Sequence, residues 1–341
     1  MNNRVNVNVD EIKIKLHTIF KGVSVPKQDA EIVINALLDA ETSGVESHGL
    51  MRMKAYVDRI VEHKIAANPI IKVEENGVVV RIDGGNGLGQ VVTMCAVNKC
   101  VEIAKKYGIG VAAIAHSNHF GTAAYYTNIM AKEGCIGISA TSAGPTVAPF
   151  GGMDLLLGTN PFSVAFPATK QVFCADMATS ATAKGKIRIY AKSGKTIPVG
   201  WALDAEGNDT TDPEKAIKGI LLPMSGHKGY ALAMIVDALC GLLSGANLSC
   251  EATSMFNTQN LANVGHFICA INIEHFLPLE NFERRAQEWF EKIRTSKTRQ
   301  GMRIMIPGEP EAERKLLVKD QLSVLQETAR TIDDYYKKYA V

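Results

Sequence analysis

The stretch QVVTMCAVNKCVEIAKKYGIGVAAIAHSNHFGTAAYYTNIMAKEGCIGISA, residues 90–140, switches its hydrophobic period three times. Gln90 to Tyr107 carries apolar residues at helical spacing, and Gly110 to Ala115 is a short apolar run of buried-strand type. Tyr125 to Lys132 is helical again, and Ile136 to Ala140 a second strand. Helices alternating with strands place the chain in the mixed α/β class. The glycines inside this stretch narrow the class further. Gly108-Ile109-Gly110-Val111-Ala112-Ala113 lies between a helix and a strand, whereas a phosphate must meet the N-terminus of a helix that follows a strand. Gly85-Asn86-Gly87-Leu88-Gly89, just upstream, has the wrong spacing, and no G-x-x-x-x-G-K-[ST] occurs. Any nucleotide is therefore held by something other than a Rossmann turn or a P-loop.

Outward on the N-terminal side, the first 65 residues read as helices. These are Val9 to Phe20, a second helix opened by Pro26 and closed near Gly44, and a third beginning after Ser47-His48-Gly49. From Ile70 the pattern alternates, with Asn76-Gly77 as a hairpin turn. On the C-terminal side, strands are expected near Phe162–Phe166 and Val172–Ala175, followed by a polar excursion over 184–224. A strong helix spans Lys228–Leu243, a strand His266–Ile273, a helix Glu280–Arg294 and a helical tail Leu322–Tyr339. Helices thus frame both ends, and the expected division is 1–72 with 310–341 as a framing and dimerisation region around a central α/β region, 73–309.

Composition removes several function classes. Of 341 residues 46% are hydrophobic and 21% charged, enough for a sizeable core, and the net charge of +2 argues against a nucleic-acid or membrane-surface binder. Seven scattered cysteines without C-x-x-C spacing fit reduced thiols. The polar start MNNRVNVNVDEIKIK lacks the apolar core of a signal peptide, and Tyr230–Leu243 is too short and too interrupted by Asp237 to span a bilayer. A cytoplasmic protein is expected.

Two histidine segments stand out. In Glu46-Ser47-His48-Gly49-Leu50-Met51-Arg52, His48 and Arg52 fall one helical turn apart. A histidine exchanges protons near neutral pH, and an arginine grips a carboxylate with a two-pronged fork. A helix-start histidine beside a surface arginine is the plainer alternative. In Ala115-His116-Ser117-Asn118-His119-Phe120-Gly121-Thr122, the histidines follow a strand, where α/β proteins place ligands. His116-x-x-His119 alone is a weak metal signal, so no metal is expected. Three further segments offer anion or ribose contacts: Asp176 to Thr182, the helix start Ser225 to Tyr230, and Ile306-Pro307-Gly308-Glu309. Each is also an ordinary helix start.

Together and in order, ESHGLMR, SNHFGTAAYYTNIMAKEGCIGIS, SAGPTVAPFGG, LGTNPFSVAFP, DMATSATAKGK, GWALDAEGNDTTDP, HKGYALAMIVDAL and IPGE resemble the non-Rossmann malate/L-lactate dehydrogenase family. That family also holds ureidoglycolate, sulfolactate and diketogulonate oxidoreductases, and the resemblance runs from about residue 5 to the C-terminus. It implies interconversion of a 2-hydroxy acid and a 2-oxo acid with NAD or NADP, by homodimers. It places the acid/base chemistry on His48 and His119 and the substrate on Arg52, with Ser47 and Tyr56 beside it. The nucleotide falls on Asp176, Met177 and Ala178, on His227 and Lys228, and on Pro307, Gly308 and Glu309. The chain departs from many relatives at Gly226-His227 and at Ala143. Malate is the expected substrate, with ureidoglycolate, lactate or sulfolactate as alternatives. A non-catalytic nucleotide sensor is the alternative from another class. His119 is the expected proton carrier, because the end of a buried strand holds a side chain more rigidly than a helix-start loop.

Overall fold

A computed structural model describes residues 3–340, so Met1, Asn2 and Val341 of the expected framing region lie outside the described residues. The chain runs β1 (Arg4–Asn8), α1 (Val9–Gly22), α2 (Lys27–Thr42), α3 (Met53–Val61), β2 (Lys72–Asn76), β3 (Val79–Asp83), α4 (Gly89–Tyr107), β4 (Ile109–Ser117), α5 (Ala123–Lys132) and β5 (Cys135–Thr141). It continues β6 (Phe162–Pro167), β7 (Val172–Met177), α6 (Lys184–Lys192), β8 (Ala202–Leu203), α7 (Pro213–Lys218), β9 (Ile220–Leu221), α8 (His227–Asp237), β10 (Val264–Asn272), α9 (Leu279–Arg294), α10 (Glu309–Leu317), β11 (Gln321–Leu325) and α11 (Gln326–Tyr339).

The central sheet has the order β2-β3-β4-β10-β5-β6-β7. Only β3 and β4 are parallel neighbours, because β10 inserts antiparallel between β4 and β5. This insertion is what builds the site. The C-terminal ends of β4 and β5 emerge side by side, with the start of β10 wedged between them, His266 facing Ile114 on one side and Thr141 on the other. Helices α4 and α5 cover the sheet with a core that includes Val92, Val97, Ile114, Phe120, Tyr126 and Ile268.

Three expectations need correction. The N-terminal segment is not purely helical and the tail is not wholly helical: Arg4–Asn8 and Gln321–Leu325 pair antiparallel as a two-stranded sheet. Both alternate in sequence (Val5, Val7; Leu322, Val324), but each finds its partner more than 300 residues away. The polar excursion holds α6, α7 and the β8–β9 pair around a small core of its own, with Val147, Ile187, Ile197 and Leu221. Val33 and Leu37 of α2, in the region expected to dimerise, are sealed within the chain. They pack with Leu16, Phe20, Tyr56, Leu322 and Ile332 in a core that both chain ends share, and Tyr336 leans on it. Leu325 is partly buried as the last residue of β11. The Lys228–Leu243 helix exists, its last turn widened to a π-type turn over Ala238–Leu242.

Candidate active site

Beyond β4 the chain passes Asn118-His119-Phe120-Gly121 before entering α5, and each step of this loop is tied down. Asn118 is buried and donates its amide hydrogens to the carbonyls of Gly87 (2.8 Å) and Asn86 (3.2 Å). Gly89 lets the start of α4 pack directly on the loop, since a Cβ there would strike the carbonyl oxygens of Asn118 and His119. Phe120 is buried and stacks on His266, ring centres 4.7 Å apart. His266 itself bridges two strand ends, Nδ1 2.8 Å from the Thr141 hydroxyl and Nε2 2.9 Å from the Ser117 hydroxyl. Burial pushes its imidazole down to about 3, so it serves as a neutral pin.

The opposite wall is the segment 46–56. Glu46–His48 and Leu50–Arg52 are single 3₁₀ turns rather than the start of a continuous helix. Glu41 holds them from α2: its carboxylate accepts the Leu50 N–H at 2.9 Å, and a Cβ on Gly49 would collide with it. The result sets His48 against His119, rings stacked with centres 5.4 Å apart. The Tyr56 hydroxyl lies 2.8 Å from His119 Nδ1, and the Ser47 hydroxyl 2.9 Å from His48 Nδ1. Arg52 donates to the Ser47 carbonyl and lies over the Phe256 ring at 5.2 Å. His48, Arg52, Tyr56 and His119 all line one cavity of about 490 Å³. Ser47 is exposed and reaches the site through its contacts with His48 and Arg52.

Both imidazoles are neutral at neutral pH. Burial, with help from the Arg52 cation, lowers His48 to about 4. Burial, then His48, Arg52 and His266, holds His119 well below its ordinary value. Arg52 is lowered by burial too, but an arginine stays charged. The cavity therefore presents two neutral bases beside the fork-shaped cation of Arg52, with Arg59 also in its wall and no carboxylate there among the described residues.

His116, by contrast, is turned away from His119. It is exposed, with its Nδ1 3.1 Å from Asp83, and no group of three metal-ligating side chains exists among the described residues.

The residues expected to meet a nucleotide string along the neighbouring edge, and none of the eight lines the cavity itself. Asp176 and Met177 end β7, with Ala178 next. The Asp176 carboxylate accepts the Ala124 N–H at 2.9 Å and so caps α5, and although the residue is exposed, surrounding protein pushes its carboxyl up to about 6. Pro307 accepts the Cys174 N–H at 3.0 Å, and Gly308 has φ +96° where a Cβ would crowd the Cys174 backbone. Glu309 is not free: it pairs with Arg294 and accepts the Ile306 N–H at 2.7 Å. His227 and Lys228 stand exposed at the start of α8, which no side chain caps. The two regions join through Thr159, which lines the cavity, accepts from Thr179, and so links to Met224 ahead of α8.

Known proteins are similar to this chain in sequence and in fold. The family described as malate/L-lactate dehydrogenase matches residues 7–330. The malate dehydrogenase of Pyrococcus abyssi is 40% identical over 97% of this chain and 96% of its own length. The solved sulfolactate dehydrogenase of Methanocaldococcus jannaschii superimposes with a TM-score of 0.95 at 35% identity, covering 99% of this chain and 98% of that one. For the Pyrococcus horikoshii malate dehydrogenase structure the values are 0.91 and 36%, covering 100% and 97%. The chain belongs to the malate/L-lactate dehydrogenase family. As a member it is an oxidoreductase, a dehydrogenase acting on the CH–OH group of a 2-hydroxy acid, with the family's mixed α/β fold. Among its relatives, names specify NADP(+) in one case and NAD(+) in another.

Several side chains of this dehydrogenase went unnoticed in the sequence. Arg59 is 2% exposed, lines the cavity and donates to the carbonyls of Asn257 and Asn260, holding that segment beside the site. Its signal is that 52, 56 and 59 fall at helical spacing on one face, apart from the charged pair Lys54 and Asp58. Asp237, noticed only as an interruption, accepts the Ser249 hydroxyl at 2.7 Å. Ser249 reaches Asn160, whose side-chain oxygen accepts the Ala143 N–H at 3.0 Å, so the network shapes the 142–146 wall. Gln90 gave no signal beyond its place after the glycines.

Proposed function

We propose that this dehydrogenase interconverts malate and oxaloacetate with NAD or NADP. The observation that carries the reading is the stacked pair His48–His119 beside Arg52 in one cavity. Arg52 grips the C1 carboxylate in bidentate fashion, which places the 2-hydroxyl between the imidazoles. His119 takes the hydroxyl proton as the C2 hydrogen leaves as hydride, and returns it in the reverse direction. His48 hydrogen-bonds the same oxygen and stabilises the charge that develops on it. The carboxylate on Arg52 offsets the cation that depresses both imidazoles, so substrate raises their basicity when it is needed. A nicotinamide dinucleotide, when bound, supplies the hydride acceptor. Residues fit such a group: the uncapped start of α8 with Lys228 suits a pyrophosphate. The buried hydroxyls of Ser142, Thr146 and Thr182 have no protein partner among the described residues. Asp176–Ala178 and Pro307–Glu309 frame the same edge, with Glu309 acting through its Arg294 pair rather than directly.

Malate is favoured because Arg52 and Arg59 both face a wall without carboxylates, which suits a dianion. A sulfolactate substrate is the second reading, since a sulfonate satisfies the same wall. Lactate and ureidoglycolate, carrying one anionic group, fit it less well. The test follows absorbance of reduced nicotinamide with oxaloacetate, sulfopyruvate, pyruvate and the ureidoglycolate product, each with both cofactors. Highest kcat/KM with oxaloacetate supports the reading; highest with a monoanion overturns it.

The protein is further proposed to be cytoplasmic and homodimeric, with 1–72 and 310–341 framing the central region 73–309. Seven free cysteines support a reducing compartment, and no described helix is long and apolar enough to cross a membrane. The dimer reading rests on exposed apolar residues Met234, Ile235, Leu242 and Leu243 on and just after α8, not on the buried faces of α2. A monomer mass in light scattering at micromolar concentration contradicts it.

A further inference from the structure

His119 Nδ1 has two neighbours, the Tyr56 hydroxyl at 2.8 Å and the Gly121 N–H at 3.4 Å. A backbone N–H only donates, so in this arrangement Nδ1 accepts and the ring proton sits on Nε2. The ring then shows the cavity an N–H, which hydrogen-bonds a carbonyl but takes no proton from a hydroxyl. To act as the base, His119 must carry its proton on Nδ1 and donate it to the Tyr56 oxygen. The Tyr56 hydrogen must then turn elsewhere, and Tyr56, though it borders the cavity, is only 1% exposed.

One group stands ready. Gln90, in the first turn of α4, is fully buried, and neither its amide oxygen nor its amide nitrogen has a partner of good geometry. Its nitrogen lies 3.9 Å from where a Cβ on Gly121 would sit, and the side chain is within hydrogen-bonding reach of the Tyr56 hydroxyl. A buried amide without a partner is costly and asks for an explanation. An amide also differs from a carboxylate or an amine: a half-turn exchanges its donor for its acceptor.

We propose that Gln90 is a positioning residue whose amide oxygen accepts the Tyr56 hydroxyl whenever His119 carries a proton on Nδ1, which steadies the tautomer that shows substrate a bare Nε2. The tautomer changes in the open cavity before substrate binds, Nε2 releasing one proton to solvent and Nδ1 taking one from it, so the ring stays neutral. In hydroxy-acid oxidation the substrate O–H bond breaks and its proton bonds to Nε2, while the C2 hydride goes to the bound nicotinamide. The ring then holds two protons, with Nδ1–H on Tyr56 and Tyr56 O–H on Gln90. Tyr56 keeps its proton throughout, since burial holds its phenol well above the ordinary value. Tyr56 thereby acts on His119 rather than on the substrate, which refines its expected role. The inference rests on His119 being the carrier.

The test reads the tautomer directly, by ¹⁵N chemical shifts of the histidine side chains, with His119 assigned through His119→Asn. Free wild-type enzyme should show the Nε2–H form, and saturation with the 2-hydroxy acid alone should shift it toward Nδ1–H. Gln90→Met should stay at Nε2–H even with substrate, and lower kcat about tenfold or more with little change in KM. That loss should vanish when Tyr56→Phe is already present. Gln90→Glu, which only accepts, should favour Nδ1–H without any substrate. The other ionisable groups facing His119, namely His48, Arg52, Tyr56 and His266, are unaltered in the Gln90 variants. Identical tautomers in wild type, Gln90→Met and Gln90→Glu overturn the proposal. A His119→Asn enzyme that keeps its kcat instead removes the underlying reading, a separate outcome.

Discussion

The wall that carries the histidines and the edge that faces the expected nucleotide are built on opposite plans. Along the wall the groups that hold the histidine segments are spent within the chain: Glu41 on Leu50, Asn118 on Asn86 and Gly87, and His266 on Thr141 and Ser117. Along the edge, α8 starts uncapped, His227 and Lys228 stand exposed, and Thr182 leaves a buried hydroxyl unpaired. A proton carrier must be held at one atom before substrate arrives, whereas a cofactor supplies the missing partners itself. Substitutions in the wall should therefore change chemistry or substrate binding, and those at the edge should change only nucleotide affinity.

The largest expected effect is at His119. His119→Asn should lower kcat by ~10²–10⁴-fold and leave nucleotide affinity unchanged in calorimetry. A matching loss of nucleotide affinity would dissolve the distinction between wall and edge. Next comes Arg52→Met, which keeps the stem and removes the fork. KM for the 2-oxo acid should rise by an amount equivalent to roughly 2–5 kcal/mol, and an unchanged KM takes Arg52 out of the site.

Glu41 sharpens the comparison on the side of stability. Burial, only partly offset by the Leu50 N–H, raises its carboxyl from 4.5 to about 7. Because the folded value is the higher one, its contribution is complete below about pH 4.5 and is lost as pH rises through about 7. The full swing is at most about 3 kcal/mol by linkage. Glu41→Gln keeps the acceptor for Leu50, so urea midpoints at pH 5 and pH 8 should draw closer than in wild type. An unchanged difference would show that Glu41 is not the group responsible. The smallest effect belongs to the edge: Lys228→Met should weaken cofactor binding by about 1 kcal/mol, as for a partly exposed charge at a helix start. Wild-type affinity for both NAD and NADP would contradict the nucleotide assignment there.

The legible parts of this molecule are those whose periodicity is local. Helices α4 and α5 and strands β4 and β5 are long enough for their hydrophobic spacing to speak for itself. Strands β1 and β11 were hidden because each has five residues and a partner at the far end of the chain. The position of β10 between β4 and β5 has no local signal at all, yet it brings His266 under Phe120. The same division runs through the site. His48, Arg52 and His119 sit in motifs, whereas Gln90, Arg59 and Asp237 acquire a role only through burial, which one-dimensional spacing does not report.

The central claim is that His119 carries the proton and His48 assists. Its most direct test is the pH dependence of kcat/KM for wild type, His48→Asn and His119→Asn in both directions. With both imidazoles well below the ordinary value in the free enzyme, wild-type oxidation should hold level from neutral pH down past 6, with its acid limb lower still. Reduction, which needs the protonated ring, should fall about tenfold per pH unit as pH rises across the same range. His48→Asn should keep these limbs, with a smaller loss shared between kcat and KM, while His119→Asn should lose both kcat and the limb. A normal profile and kcat in His119→Asn, with both lost in His48→Asn, would contradict the account and exchange the two roles.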